Sequence, residues 1–135
     1  MLGMTFAIGL LDSSAAAAHV RLVTKKQYSQ SGASETEAER AIRLFNEGKF
    51  DDSISLAKLI QAGLSNFSTE EKWQLLIIAA QMEQGDYAKA LETVDAAIER
   101  FPNSIRIRWV GEEVCRFNGQ TKRALVIMEE MRELV

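Results

Sequence analysis

Paired carboxylates are the commonest chemistry-bearing feature of this 135-residue chain: Asp51 with Asp52, Glu70 with Glu71, Glu112 with Glu113, and Glu129 with Glu130. Two carboxylates in one site can divide acid and base roles. Adjacent residues on a helix, however, point about 100° apart and do not share a site. Asp51, Asp52, Glu70 and Glu71 also fall in expected first turns, where negative charge complements the helix dipole. The pairs are therefore read as solvated surface. The one cysteine, Cys115, lies between Val114 and Arg116. A reactive thiol needs exposure and a cationic or basic neighbour, and a half-buried structural cysteine is expected instead. The one histidine, His19, excludes a zinc finger and any site with two histidine ligands. An amino terminus at His19 could chelate copper, but no second histidine completes a site. Asn66-Phe67-Ser68 matches a glycosylation acceptor, which matters only in a eukaryotic secretory host. No phosphate-binding glycine loop, nucleophile elbow or H-E-x-x-H motif occurs. Without a nucleophile–base set, the chain reads as a non-enzyme with no cofactor and no metal site.

A net charge of −3 is spread unevenly. Residues 1–33 carry +2 and residues 34–135 carry −5. An acidic body argues against nucleic acid as a partner, because phosphate neutralisation needs a basic face. With 47% hydrophobic and 26% charged residues, the body has the mixture of one ordinary globular domain.

The beginning of the chain differs from the rest. Met1–Leu11 is apolar, and Ala15–Ala18 follow Asp12, Ser13 and Ser14. Eleven apolar residues are too few for a bilayer span, which takes about twenty. They suit the apolar region of a secretory signal, with Ala16-Ala17-Ala18 as a cleavage site before His19. No Lys or Arg precedes the run, as such a signal requires. Either residues 1–18 are an export signal, or the run is a buried helix. The first reading gives a periplasmic or secreted protein that meets the membrane only through this signal, and the second gives a cytoplasmic one. Residues 19–33, with Ser29-Gln30-Ser31-Gly32, read as a flexible tether.

From residue 34 the pattern is helical and repeats. Gly48, Gly85 and Gly119 stand 37 and 34 residues apart. Five residues after each comes a small residue, Ser53, Ala90 or Ala124, and then an aliphatic one, Ile54, Leu91 or Leu125. A period in the mid-thirties built from two helices signals a solenoid. Each glycine falls where one helix ends and the next begins, the place for a left-handed cap. Ser34 with Glu37 and Ser68 with Glu71 fit capping boxes, and Asn103 after Pro102 fits a helix start. These signals predict an all-α chain with helices near 35–47, 51–64, 69–84, 87–101, 104–118 and 121–134. The segment Trp73–Ala80 is apolar nearly all round, so its helix should be covered on more than one side.

The middle unit resembles the tetratricopeptide repeat family, with Gly85, Tyr87, Ala90, Ala97 and Pro102 where that family has Gly, aromatic, Ala, Ala and Pro. The first unit keeps Gly48, Phe50 and Ser53, with Ser65 at the proline position. The third keeps Gly119, Ala124 and Leu125, with Thr121 replacing the aromatic. The resemblance covers residues 34–135, in units of about 34–67, 68–103 and 104–135. It implies an α-solenoid of antiparallel helix hairpins with a right-handed superhelix. It also implies a concave groove for a protein or peptide partner, lined by the first helix of each hairpin. The groove positions are Ile42 and Phe45, then Lys72, Leu75, Ala79 and Met82, then Arg106, Trp109, Glu113 and Arg116. The asparagines that clamp a peptide carboxylate in some members are missing from the second and third groove helices.

Arg106, Arg108, Arg116, Lys122 and Arg123 make a local basic cluster, which beside Trp109 suits a peptide with acidic and apolar side chains. The competing expectation is a Trp109 that packs the core. The methionines, Met128 and Met131 among them, are expected to fill core gaps. The last helix shows apolar residues on several sides, including Val126, Ile127 and Leu134. Solenoids normally end on a polar cap. The expectation is self-association through this helix, broken by Ile127→Glu or Leu134→Glu, or else coverage by a further domain of a larger exported enzyme.

Overall fold

The computed structural model describes residues 34–135, apart from the Phe67 side chain. The export signal, the tether and the His19 reading lie outside these residues. Among the described residues the chain is all helical: α1 (Glu37–Asn46), α2 (Phe50–Ala62), α3 (Phe67–Glu83), α4 (Tyr87–Arg100), α5 (Ile105–Phe117) and α6 (Thr121–Leu134). Each helix packs on the next along the chain, and α3 also meets α5.

The three glycines explain why the helices pair. Gly48, Gly85 and Gly119 take φ of 77°, 74° and 71°, a region open to glycine at little cost. The N–H after each donates back across the turn, Lys49 to the Leu44 carbonyl (2.9 Å), Asp86 to Gln81 (3.0 Å) and Gln120 to Cys115 (2.8 Å). This is the Schellman arrangement, which satisfies carbonyls that the helix end would otherwise orphan. Three turns of the same geometry recur at the glycine spacing read from the sequence. The Gln84 amide also donates to Asp51 (2.6 Å), and that of Asn118 to the Tyr87 carbonyl (2.8 Å), tying the ends of α3 and α5 to the starts of α2 and α4.

The caps differ from those expected. Thr36, not Ser34, caps α1: its hydroxyl accepts from the Glu39 N–H, and its own N–H donates to the Glu39 carboxylate (2.7 Å). Asn66 caps α3 and accepts from Ser68 N–H (2.9 Å), so Ser68 is inside the helix and not its cap. Ser104 rather than Asn103 caps α5, accepting from Ile107 N–H (3.1 Å). A cap needs extended backbone at its own position, and Thr36, Asn66 and Ser104 have it.

The core is centred on α3. Trp73 and every residue from Leu75 to Met82 are buried, and α3 packs against α2, α4 and α5. Small residues let the layers close. Ser53, Ala90 and Ala124 are buried at matching positions, and the Ser53 hydroxyl satisfies itself on the Ala41 carbonyl (2.7 Å). Gly111 on α5 does the same: an added Cβ would stand 2.9 Å from Val94 Cγ1.

Candidate interaction face

The glycine register aligns Lys72, Leu75, Ala79 and Met82 of α3 with Arg106, Trp109, Glu113 and Arg116 of α5, 34 residues on. Residues spaced this way share one side of a helix. On α5 that side is open. Trp109 keeps 58% of its surface, and Ile105, one turn earlier, is also exposed. Arg106 and Arg116 flank the indole along the helix and are exposed, with Glu113 half-buried. Burial holds the Glu113 carboxyl above its ordinary range, partly offset by Arg116. The competing reading of Trp109 as a core residue is thereby corrected: among the described residues no layer covers it.

On α3 and α1 the groove residues lie elsewhere. Leu75, Ala79 and Met82 are buried and Lys72 half-buried, while Ile42 and Phe45 of α1 are buried too. Phe45 stacks edge-on against Phe50 of α2, ring centres 5.4 Å apart. Side chains this deep offer no area to an incoming partner, so α5 supplies most of the open part of the expected groove.

The four arginines of the basic cluster are each held in an ion pair. Arg106 approaches Glu71 of α3 (3.9 Å), and Arg116 pairs with Glu112 one turn before it (2.8 Å). Arg108 is buried, donates to the Pro102 carbonyl and pairs with Glu130 of α6 (3.1 Å). Arg123 pairs with Asp95 of α4. Arg108 and Arg123 therefore stitch helices together, and only Arg106 and Arg116 accompany Trp109. Both arginines are exposed while Glu71 and Glu112 are mostly covered, so an acidic partner can reach both cations from solvent.

The paired carboxylates diverge as helix geometry requires. Glu70 binds Arg100 (3.0 Å) while Glu71 faces Arg106, and Glu129 binds Arg132 (3.3 Å) while Glu130 faces Arg108. Among the described residues no cluster of three potential metal ligands forms. Cys115 is more deeply buried than the half-buried position expected, and burial pushes its thiol upward, away from the reactive thiolate. A shallow depression of about 320 Å³ lies between α2, α3 and the end of α4. Several of its polar groups are occupied with one another: Gln61 donates to Gln74 (2.7 Å) and to the Glu70 carbonyl (3.1 Å), and Arg100 pairs with Glu70.

The last helix also corrects its expectation. Ile127 is only 3% exposed and belongs to the core with Cys115 and Ala124, and Leu134 is half-buried. Ile127→Glu would therefore break the fold rather than a contact between copies. The open apolar side chains are Leu125, Val126 and Met128. Met128 thus stands in solvent, whereas Met82 fills the core. Sequence periodicity could not separate these positions, because each is apolar and each sits on a helix. No model of a known protein family, no curated protein and no solved structure matches this chain.

Proposed function

We propose that residues 34–135 are a non-catalytic protein-interaction scaffold, a solenoid of the tetratricopeptide type whose α5 side receives a peptide carrying acidic and apolar side chains. One observation carries this reading. Trp109, a large aromatic in the middle of a well-packed helix, is left 58% exposed, and exposed aromatics rimmed by polar groups mark contact sites. The three matching turns support the repeat architecture, and the cations at Arg106 and Arg116 supply the charge preference. Electrostatics there would speed association more than deepen affinity.

The test is selection of binders from a random peptide library on the intact protein, with counter-selection on Trp109→Ala and Arg106→Glu. Selected peptides should combine Asp or Glu with apolar residues. Each substitution should weaken them about tenfold or more, roughly 1.4 kcal/mol per factor of ten. Helix content should remain unchanged. Peptides that bind both variants as well as the parent would refute the assignment. A second reading, an accessory region covered by another unit, is favoured by Leu125, Val126 and Met128 on α6. Sedimentation that shifts on Leu125→Glu would support it.

A further inference from the structure

The second helices of the hairpins, α2, α4 and α6, compare position by position, counted from the glycine before each. Leu91, Val94 and Ile98 of α4 stand six, nine and thirteen residues after Gly85, and Leu125, Met128 and Arg132 of α6 hold the same places after Gly119. In α4 this stripe receives the next hairpin. Leu91 and Ile98 pack on the cluster of Cys115, Ala124 and Ile127, and Gly111 of α5 lies so close that an added Cβ would stand 2.9 Å from Val94 Cγ1. Ala57, the α2 counterpart of Val94, is buried too. On α6 the same side is open, with Leu125 61% and Met128 46% exposed. One position departs from the pattern. Seven residues after the glycine, α2 and α4 carry the exposed polar residues Ser55 and Glu92, whereas α6 carries Val126, 57% exposed. The open apolar face of α6 is therefore wider than the one on which the chain seats its own hairpins.

Building on the second reading above, we infer that the occupant is a second copy of this chain: the Leu125–Val126–Met128 face packs on its own counterpart, the two α6 helices running antiparallel about a two-fold axis. The charges beside the patch favour this occupant and this orientation. Lys122, Val126 and Glu129 form one edge of the face at helical spacing, while Ala124 on the other edge is buried against the body of the molecule. A two-fold axis crossing the helices near Val126 sets Leu125 on Met128 of the second copy. It also brings Lys122 beside Glu129 of that copy, and Glu129 beside its Lys122. Lys122 enters no ion pair among the described residues, and the pair of Glu129 with Arg132 is exposed at both partners, so both groups can turn toward a second copy. A parallel pairing would set this edge against the opposite edge of the second copy and leave its charges unmatched. Helix α6 is about 20 Å long, so its face offers less than the roughly 800 Å² per partner of a standard interface, and the dimer forms only in concentrated solution. The contact uses nothing of the Trp109 side.

Sedimentation of the full chain over a concentration series tests it. The parent should pass from monomer to dimer on the order of hundreds of micromolar. Leu125→Glu should raise the dissociation constant about a hundredfold or more, because a two-fold contact loses each residue twice. Helix content should not change, and peptides selected at Trp109 should bind this variant as tightly as the parent. If the glutamate costs helix content, Leu125→Gln should still weaken the dimer about tenfold with the fold intact. Lys122→Glu and Glu129→Lys should each weaken it about fivefold, and both in one chain, or the two single variants mixed, should restore it. A parent that stays monomeric throughout would overturn the inference. So would a dimer that survives Leu125→Glu, and if Trp109→Ala dissolved that dimer the copies would meet at α5. Growth beyond a dimer would overturn it too, since a two-fold contact closes on itself. Single charge changes with no recovery in the double variant would overturn the antiparallel arrangement.

Discussion

Helices α3 and α5 occupy equivalent places in successive hairpins, yet one is buried all round and the other keeps an open side. On α3, Trp73 and the whole run Leu75–Met82 are withdrawn from water. On α5 the inner side is as closely packed, with Ile107, Val110, Val114 and Cys115 buried, but Trp109 and Ile105 face solvent. The difference separates two uses of an apolar residue. Those on α3 hold the fold together by leaving water. The exposed aromatic of α5 does not, and so it is available to something else.

The largest effect should come from hollowing α3. Leu76→Ala or Ile77→Ala should cost about 2–5 kcal/mol in urea unfolding, the transfer term plus a cavity. Trp109→Ala should cost less than about 1 kcal/mol in the same assay, since surface substitutions remove little packing. Comparable losses on the two helices would erase the contrast. A somewhat smaller effect is expected at Gly111, where α5 backs onto α4. The contact of an added Cβ with Val94 outweighs the better helix propensity of alanine, so Gly111→Ala should lower stability by about 1–3 kcal/mol. A neutral result would mean that the inner side of α5 is loosely packed, not one-sided.

The smallest effect concerns Glu113, at the edge of the open side. Burial raises its carboxyl pKa in the folded chain, so the charged form carries a penalty above that value. The penalty is relieved as the pH falls through it. Glu113→Gln should stabilise the protein at neutral pH by no more than about 0.5 kcal/mol, because a partly exposed group is screened by water. The gain should shrink in mildly acidic buffer, as followed by thermal melts across pH. A gain that grows on acidification would reverse the sign of this argument.

The helix pairs were legible in the sequence because their signals are local. Gly48, Gly85 and Gly119 announce a turn that few other residues can make, and all six helices fall within about two residues of their expected starts. The caps slipped for a local reason too. Thr36 with Glu39 has the same spacing as Ser34 with Glu37, and only backbone conformation decides between them. Exposure was not legible. Leu75, Met82, Trp109 and Ile127 are all apolar and all at helical spacing, and which of them meets water depends on the layers around each helix. The ion pairs were equally hidden. Arg108 and Arg116 look alike in sequence, yet one bridges α5 to Glu130 and the other lies on the surface.

Quenching of the two tryptophans by iodide tests the central claim most directly. Trp73→Phe leaves Trp109 as the one indole, and Trp109→Phe leaves Trp73. Trp109 should emit near the wavelength of a solvated indole and be quenched steeply, whereas Trp73, 5% exposed in α3, should emit to the blue and resist the quencher. A blue-shifted, protected Trp109 in the folded protein would contradict the account, because the open side of α5 would then not exist.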